Sequence, residues 1–242
     1  MLKYLLLQMN IAVTGGTQNN FFMKITQVSF PSDQYIKEEY KKTQIYLHHT
    51  AGNSNPIAVF KDWGTNKERI ATCVTIGGKP GTSNSWIDGE VAQGFNVKYW
   101  AYHLGLKEST FQKCQIPYRS LDKTSIGIEI CNWGQLTYKN GKFYNYVNRE
   151  VPKEEVVELP VAHRGFKFYH AYTDAQIAST KELLIAWNKE YNIPISYNPD
   201  IWDITSRALR GEPGLYTHNS VRIDKVDVSP QPKLIEMLKS LS

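Results

Sequence analysis

Six histidines are the residues of this 242-residue chain best suited to chemistry near neutral pH: His48, His49, His103, His163, His170 and His218. His48 ends a short β-prone run, Ile45-Tyr46-Leu47, and His218 follows Gly214-Leu215-Tyr216-Thr217 at the entry to a loop. Asp227 comes nine positions after His218, and Val228-Ser229-Pro230 then turns the chain. Catalytic zinc commonly takes three ligands from His, Asp, Glu or Cys and keeps a fourth position for water. A histidine at a strand end and a His–Asp pair on a distant loop supply such a set. Spacing alone does not select it, because a lone histidine is more often a surface or hydrogen-bonded residue. His48 and His49 are neighbours on an extended segment, so they face opposite ways and only one can readily ligate.

Several elements must position these residues. Ile57 to Lys67 reads as a helix, Ile70 to Ile76 as a strand, and Trp86 to Val91 as a hairpin around Asp88-Gly89. In Thr124 to Cys131, Ile126, Ile128 and Ile130 alternate, which predicts a buried strand with Glu129 on the opposite face, alongside Gly127 and Cys131. Residues 135 to 168 are polar, charged and irregular, with a hairpin around Lys139-Asn140-Gly141-Lys142. Thr173 to Tyr191 is the clearest helix. Thr173 is its N-cap, Gln176 completes a capping box, and Pro194 stops it. Asp203 to Leu209 reads as a short helix ended by Gly211, and Pro232 to Leu241 as an amphipathic terminal helix. Strands and helices alternate without an internal repeat. The expected fold is therefore one α/β domain with a central mixed sheet flanked by helices. Residues 1 to 22 form a poorly defined extension, with Met23 as an alternative start.

Composition narrows the partners. The hydrophobic share of 41% is ample for a core and argues against disorder. The net charge of +5 favours approach to anionic polymers, but no basic run resembles a nucleic-acid-binding arm, so nucleic acid is not expected. No segment is long enough to span a membrane, and the start lacks a convincing signal-peptide core. Three scattered cysteines, Cys73, Cys114 and Cys131, read as buried reduced thiols. A monomer is expected.

Four segments occur in an order that carries a resemblance: IYLHHTAG, TSIGIEI, YTDAQIASTKELL and GLYTHNSVRIDKVDVSP. From about Lys42 to the C-terminus the chain resembles the type-2 N-acetylmuramoyl-L-alanine amidases. That family includes phage amidase-type lysozymes, anhydromuropeptide amidases and peptidoglycan recognition proteins. The resemblance implies an amidase domain over 23–242 with an insertion at about 135–168. It also implies one zinc per chain held by His48 (rather than His49), His218 and Asp227, and bacterial peptidoglycan as substrate. Glu129 matches the family's strand glutamate, the expected general base, and Lys225 matches the lysine that stabilises the oxyanion.

His103 sits in WAYHLG, which resembles the family's W-H-x-G loop beside the cleft. It is a substrate-contact candidate together with Trp86, Trp100, Tyr102 and Trp133, although core packing is the common role of such aromatics. One departure stands out: Cys73 occupies a position where many members carry an aromatic or a histidine. Relatives lacking the metal ligands bind peptidoglycan without cutting it, so a non-catalytic binding module is the alternative. Asp227, Glu129 and Lys225 together favour the enzyme. The lack of a clear signal peptide and of a wall-binding repeat leans toward a phage-type lysin over a secreted protein.

Overall fold

The computed structural model describes residues 4–6, 23–52, 54–82 and 85–241. A seven-stranded mixed sheet forms the centre, in the order β1-β2-β5-β4-β6-β3-β12. Its strands are β1 (Tyr4–Leu6), β2 (Lys24–Gln27), β3 (Gln44–His49), β4 (Val74–Ile76), β5 (Val91–Gln93), β6 (Ser125–Ile130) and β12 (Gly214–Thr217). Three residues of the expected extension therefore form an edge strand, antiparallel to β2. The rest of 1–22 lies outside the described residues.

Strands β12, β3, β6 and β4 run parallel, and β5 turns back antiparallel to β4. Every residue of β3 and β6 is buried, as expected for parallel strands covered on both faces. Ile126, Ile128 and Ile130 enter one core with Ile45, Leu47, Leu183, Leu184 and Trp187. Each such side chain stabilises the fold by about 1.5–3 kcal/mol relative to exposure.

Helices cover the sheet: α1 (Pro56–Thr65), α2 (Glu108–Lys113), α3 (Asp174–Tyr191), α4 (Ser206–Leu209) and α5 (Pro232–Lys239). Asn55 caps α1 by accepting from Ile57 N and Ala58 N. The expected capping box opens α3, but Asn192 in the left-handed region closes it, two residues before Pro194. Among the described residues, no helix is long and apolar enough to cross a membrane. All three cysteines are free; Cys73 and Cys131 are buried, whereas Cys114 is only partly so.

Three expectations need correction. Residues 70 to 73 do not extend β4. Arg69 has a φ of +56°, Ile70 bridges to Tyr102, and the Thr72 hydroxyl donates to Val74 O at 2.8 Å. Trp86 and Ile87 do not form a hairpin arm. The buried Glu90 carboxylate accepts from Ile87 N at 3.0 Å and curls that segment, so the hairpin pairs β4 with β5 instead. Gly89 turns it with a φ of +77°, and a Cβ there would sit 2.8 Å from Ala175 O.

The stretch read as irregular is a second sheet, of order β10-β11-β7-β8-β9. Its strands are β7 (Gln135–Lys139), β8 (Lys142–Tyr144), β9 (Glu150–Val151), β10 (Val156–His163) and β11 (Phe166–His170). Asn140-Gly141 and Arg164-Gly165, all at positive φ, make its two tight turns.

Candidate metal centre

Strand register assembles the site. Leu47 pairs with Thr217 of β12, and His48 pairs with Glu129 of β6. Parallel neighbours in register place His218, His48 and Glu129 in one row at the carboxyl ends of three adjacent strands. That end of a parallel sheet is where ligands of such folds bind. His49 falls on the other face, where its Nδ1 meets the Tyr172 hydroxyl at 2.9 Å.

His48, His218 and Asp227 converge. The two Nδ1 atoms are 3.0 Å apart, and Asp227 Oδ2 lies 2.9 Å from His218 Nδ1 and 3.3 Å from His48 Nδ1. His218 Nε2 is 2.9 Å from Leu104 O, a group that can only accept, so Nε2 carries the proton and Nδ1 presents its lone pair. His48 Nε2 faces His103 Nδ1 at 3.0 Å, and His103 Nε2 faces the Ser125 hydroxyl at 2.8 Å. An imidazole followed by a hydroxyl can pass the proton order either way. When His48 donates from Nε2, its Nδ1 also turns a lone pair inward. Two lone pairs and a carboxylate then meet at one point, an arrangement suited to a cation.

The donor set fits zinc, which takes nitrogen and carboxylate ligands at about 2.0–2.2 Å in tetrahedral array, hence about 3.3 Å between ligand atoms. The three ligand atoms lie within 4.8 Å of one another.

The dipeptide His103-Leu104 orients both histidines, one through a ring and one through a carbonyl. Asp122 Oδ1 fixes that dipeptide by accepting from His103 N at 2.8 Å and Leu104 N at 3.0 Å. Gly127 makes the room: a Cβ there would lie 2.6 Å from Thr72 Cγ2 and 3.0 Å from His103 Nδ1. Asn219, fully buried, donates to Asp227 O at 3.0 Å and Val228 O at 2.9 Å, which closes the loop between the second and third donors.

Charge follows the same arrangement. Burial lowers the His48 pKa to about 4, with the His218 charge adding to the shift and Asp227 opposing it. Burial works to raise Asp227, but His218 and His48 outweigh it and hold this carboxyl well below its ordinary range. Glu129 is pushed well above the usual carboxylate value by burial and by Asp227, while the Lys225 charge acts the other way. Glu129 therefore feels Asp227 of the donor centre, and the Lys225 charge acts on both Glu129 and His48.

The remaining candidates are spread out. Both His103 ring nitrogens are engaged within the protein. Trp86 is buried with its indole N–H on Gly78 O at 2.9 Å. Trp100 is buried edge-to-face on Tyr102 and under Lys123, near the start of β6, the opposite end from Glu129. Tyr102 is exposed there. Trp133 lines a cavity of about 690 Å³ with Ser54, Lys79, Asp88, Glu155 and His170. Sequence reasoning missed Leu104, Asp122, Ser125 and Asn219. Leu104 contributes only its carbonyl and so carries no side-chain signal, while buried polar residues beside known motifs would have flagged the other three.

Fold and site together define a mixed α/β domain with a His-His-Asp donor centre at the carboxyl edge of its parallel strands. A model of the N-acetylmuramoyl-L-alanine amidase family matches residues 39–232, and the chain belongs to that family. Among curated proteins, none matches this sequence. Among solved structures, PlyL aligns at 15% identity and TM-score 0.47, over 91% of this chain and 96% of that one. The PlyG catalytic domain aligns at 13% and 0.49, over 90% and 93%. The N-acetylmuramoyl-L-alanine amidase LysC from Clostridium intestinale aligns at 14% and 0.45, over 90% and 97%. Family membership rests on the family match.

Proposed function

We propose that this chain is a zinc-dependent hydrolase of the amide bond between N-acetylmuramic acid and L-alanine in bacterial peptidoglycan. The observation that carries the reading is the convergence of His48 Nδ1, His218 Nδ1 and Asp227 Oδ2, with Glu129 in the same register row. Bound by these three, zinc supplies Lewis acidity and brings the pKa of a water toward about 7.

The chain's own groups do the rest. Glu129 takes the proton of the attacking water and returns it to the leaving amine. Its raised pKa suits both halves of that task, since a more basic carboxylate accepts more readily and the acid form is available for donation. Lys225 holds an ammonium beside the carbonyl oxygen as charge develops there. His103 and Leu104 keep the two histidines turned inward. The alternative, a binding module without catalysis, lacks support from a site that retains Asp227, Glu129 and Lys225 together. The reading extends to a lytic role as a phage-type lysin.

Purified protein should hold about one zinc per chain by elemental analysis. Mass spectrometry of products from purified muropeptides should show a free lactyl carboxylate on the sugar and a free L-alanine amine. Glu129→Gln should keep the zinc and lose at least ~100-fold in kcat. A metal-free preparation that cuts at full rate, or a fully active Gln variant, would sink this mechanism. Clearing of a peptidoglycan suspension by the added protein tests the lytic role.

A further inference from the structure

The loop from His218 to Asp227 is held from outside by a residue of the second sheet. Arg164 sits at the turn between β10 and β11, at a φ of +52°. Its side chain is only 15% exposed and reaches two segments. Nε donates to Asn219 Oδ1 at 3.4 Å, and NH2 pairs with Asp203 Oδ1 at 3.0 Å. Asn219 is the residue after His218, and its amide closes the loop onto the carbonyls of Asp227 and Val228.

The Asp203 side is built into the same region. Thr205 N donates to Ser220 O at 3.1 Å. Ile201 O accepts from the hydroxyls of Thr217 at 2.5 Å and Ser220 at 2.9 Å. His163, next to Arg164, stands edge-on to Trp202 with ring centroids 6.5 Å apart. One guanidinium therefore joins the hairpin tip, the 201–205 segment and the loop that carries two of the three donors.

An amide free to rotate would lose this geometry. The Asp227 and Val228 carbonyls select the Nδ2 end of the amide, and the Arg164 contact on Oδ1 holds its other end against rotation. A planar guanidinium held by a carboxylate is a rigid donor for that purpose. We propose that Arg164 is a positioning residue: through Asn219 it sets the His218–Asp227 loop for metal binding, which makes the second sheet a brace for the centre. This inference rests on the metal reading above.

The test uses the full chain and zinc alone as the probe. Outer partners of metal ligands change affinity by about 10–100-fold, and Arg164 acts one bond further out. Arg164→Ala should therefore raise the zinc dissociation constant, measured by chelator competition, by about 10-fold. In the metal-free protein, amide hydrogen exchange at residues 219–228 should quicken while exchange in β3 and β6 stays unchanged. Arg164→Lys keeps a charge for Asp203 but lacks the fork, and should not restore either property. Added to Asn219→Ala, Arg164→Ala should cause little further loss, because both act through one contact.

Wild-type zinc affinity and exchange in Arg164→Ala would overturn the proposal, as would full additivity with Asn219→Ala. If Arg164→Ala fails to fold, Arg164→Lys carries the same two readouts. If the wild-type chain binds no zinc, the metal reading falls, and the exchange measurement alone decides whether Arg164 braces the loop.

Discussion

His103 illustrates how a residue's type can be legible while its task is not. Its motif pointed to the cleft, but its two nitrogens span His48 and Ser125, and its backbone is fixed by Asp122. The donors His48, His218 and Asp227 stood out because their side chains face chemistry directly. Leu104 acts through a carbonyl that any residue would provide, so nothing in the sequence marks it. Asp122 is the residue on which both histidine orientations depend. Burial raises its pKa, but the two backbone N–H donors favour the ionised form. Asp122→Ala removes the single oxygen that accepts from both backbone N–H groups. We expect zinc affinity to fall by about 10–100-fold, with kcat of the zinc-saturated variant reduced less. Chelator competition and saturation kinetics on muropeptides separate the two. An unchanged dissociation constant would mean that the His103-Leu104 dipeptide holds its place without this carboxylate.

At the scale of elements, local signals were read well where they are local. The Thr173–Gln176 box opens α3 as the residue pattern implied, and Asn140-Gly141 makes the β7–β8 turn. Strand limits were missed where a buried polar side chain overrides a periodic run, as Glu90 does for Trp86-Ile87. Gln176 shows the same mixture. Its Oε1 accepts from Thr173 N at 3.1 Å, which is capping, while its Nε2 donates to Cys131 O at 2.7 Å, which ties the helix to the end of β6. Capping alone would make glutamate an equal substitute. The buried carbonyl makes it a poor one, because a carboxylate cannot donate. Gln176→Ala should cost about 2 kcal/mol, the sum of a lost cap and an unsatisfied buried acceptor. Gln176→Glu should cost at least as much in urea unfolding. A neutral Glu variant would show that the tie to Cys131 contributes nothing.

The whole molecule reads as a mixed α/β domain from its alternation of strand and helix patterns, but its strand order leaves no local trace. The row His218, His48, Glu129 exists because β12 and β6 flank β3, and such non-local pairing is invisible to periodicity. The same close packing buries the histidines. Burial lowers His48 and His49 to about 4, lowers His163 to about 4 with help from the Arg164 charge, and lowers His103 and His170 as well. In the unfolded chain a histidine titrates near 6.5. Between about pH 6.5 and 4 the unfolded chain thus binds protons that the fold refuses. Stability is present above that window and is lost as pH falls through it. Burial raises Glu129, Asp88 and Asp122, which opposes the trend because the fold keeps protons there that the unfolded chain releases. Five histidines against three carboxyls leave the acid side disfavoured. The metal-free protein should therefore melt at progressively lower temperature in chelator at pH 7.5, 6.0 and 4.5. His49 is buried with its ring on the face away from the donors, so it can be replaced without removing a donor, and its contribution is worth about 1.4 kcal/mol per pH unit within the window. His49→Gln should flatten the pH dependence of unfolding free energy by about that slope. A variant that keeps the wild-type slope would place the acid sensitivity in other groups and remove His49 from the account.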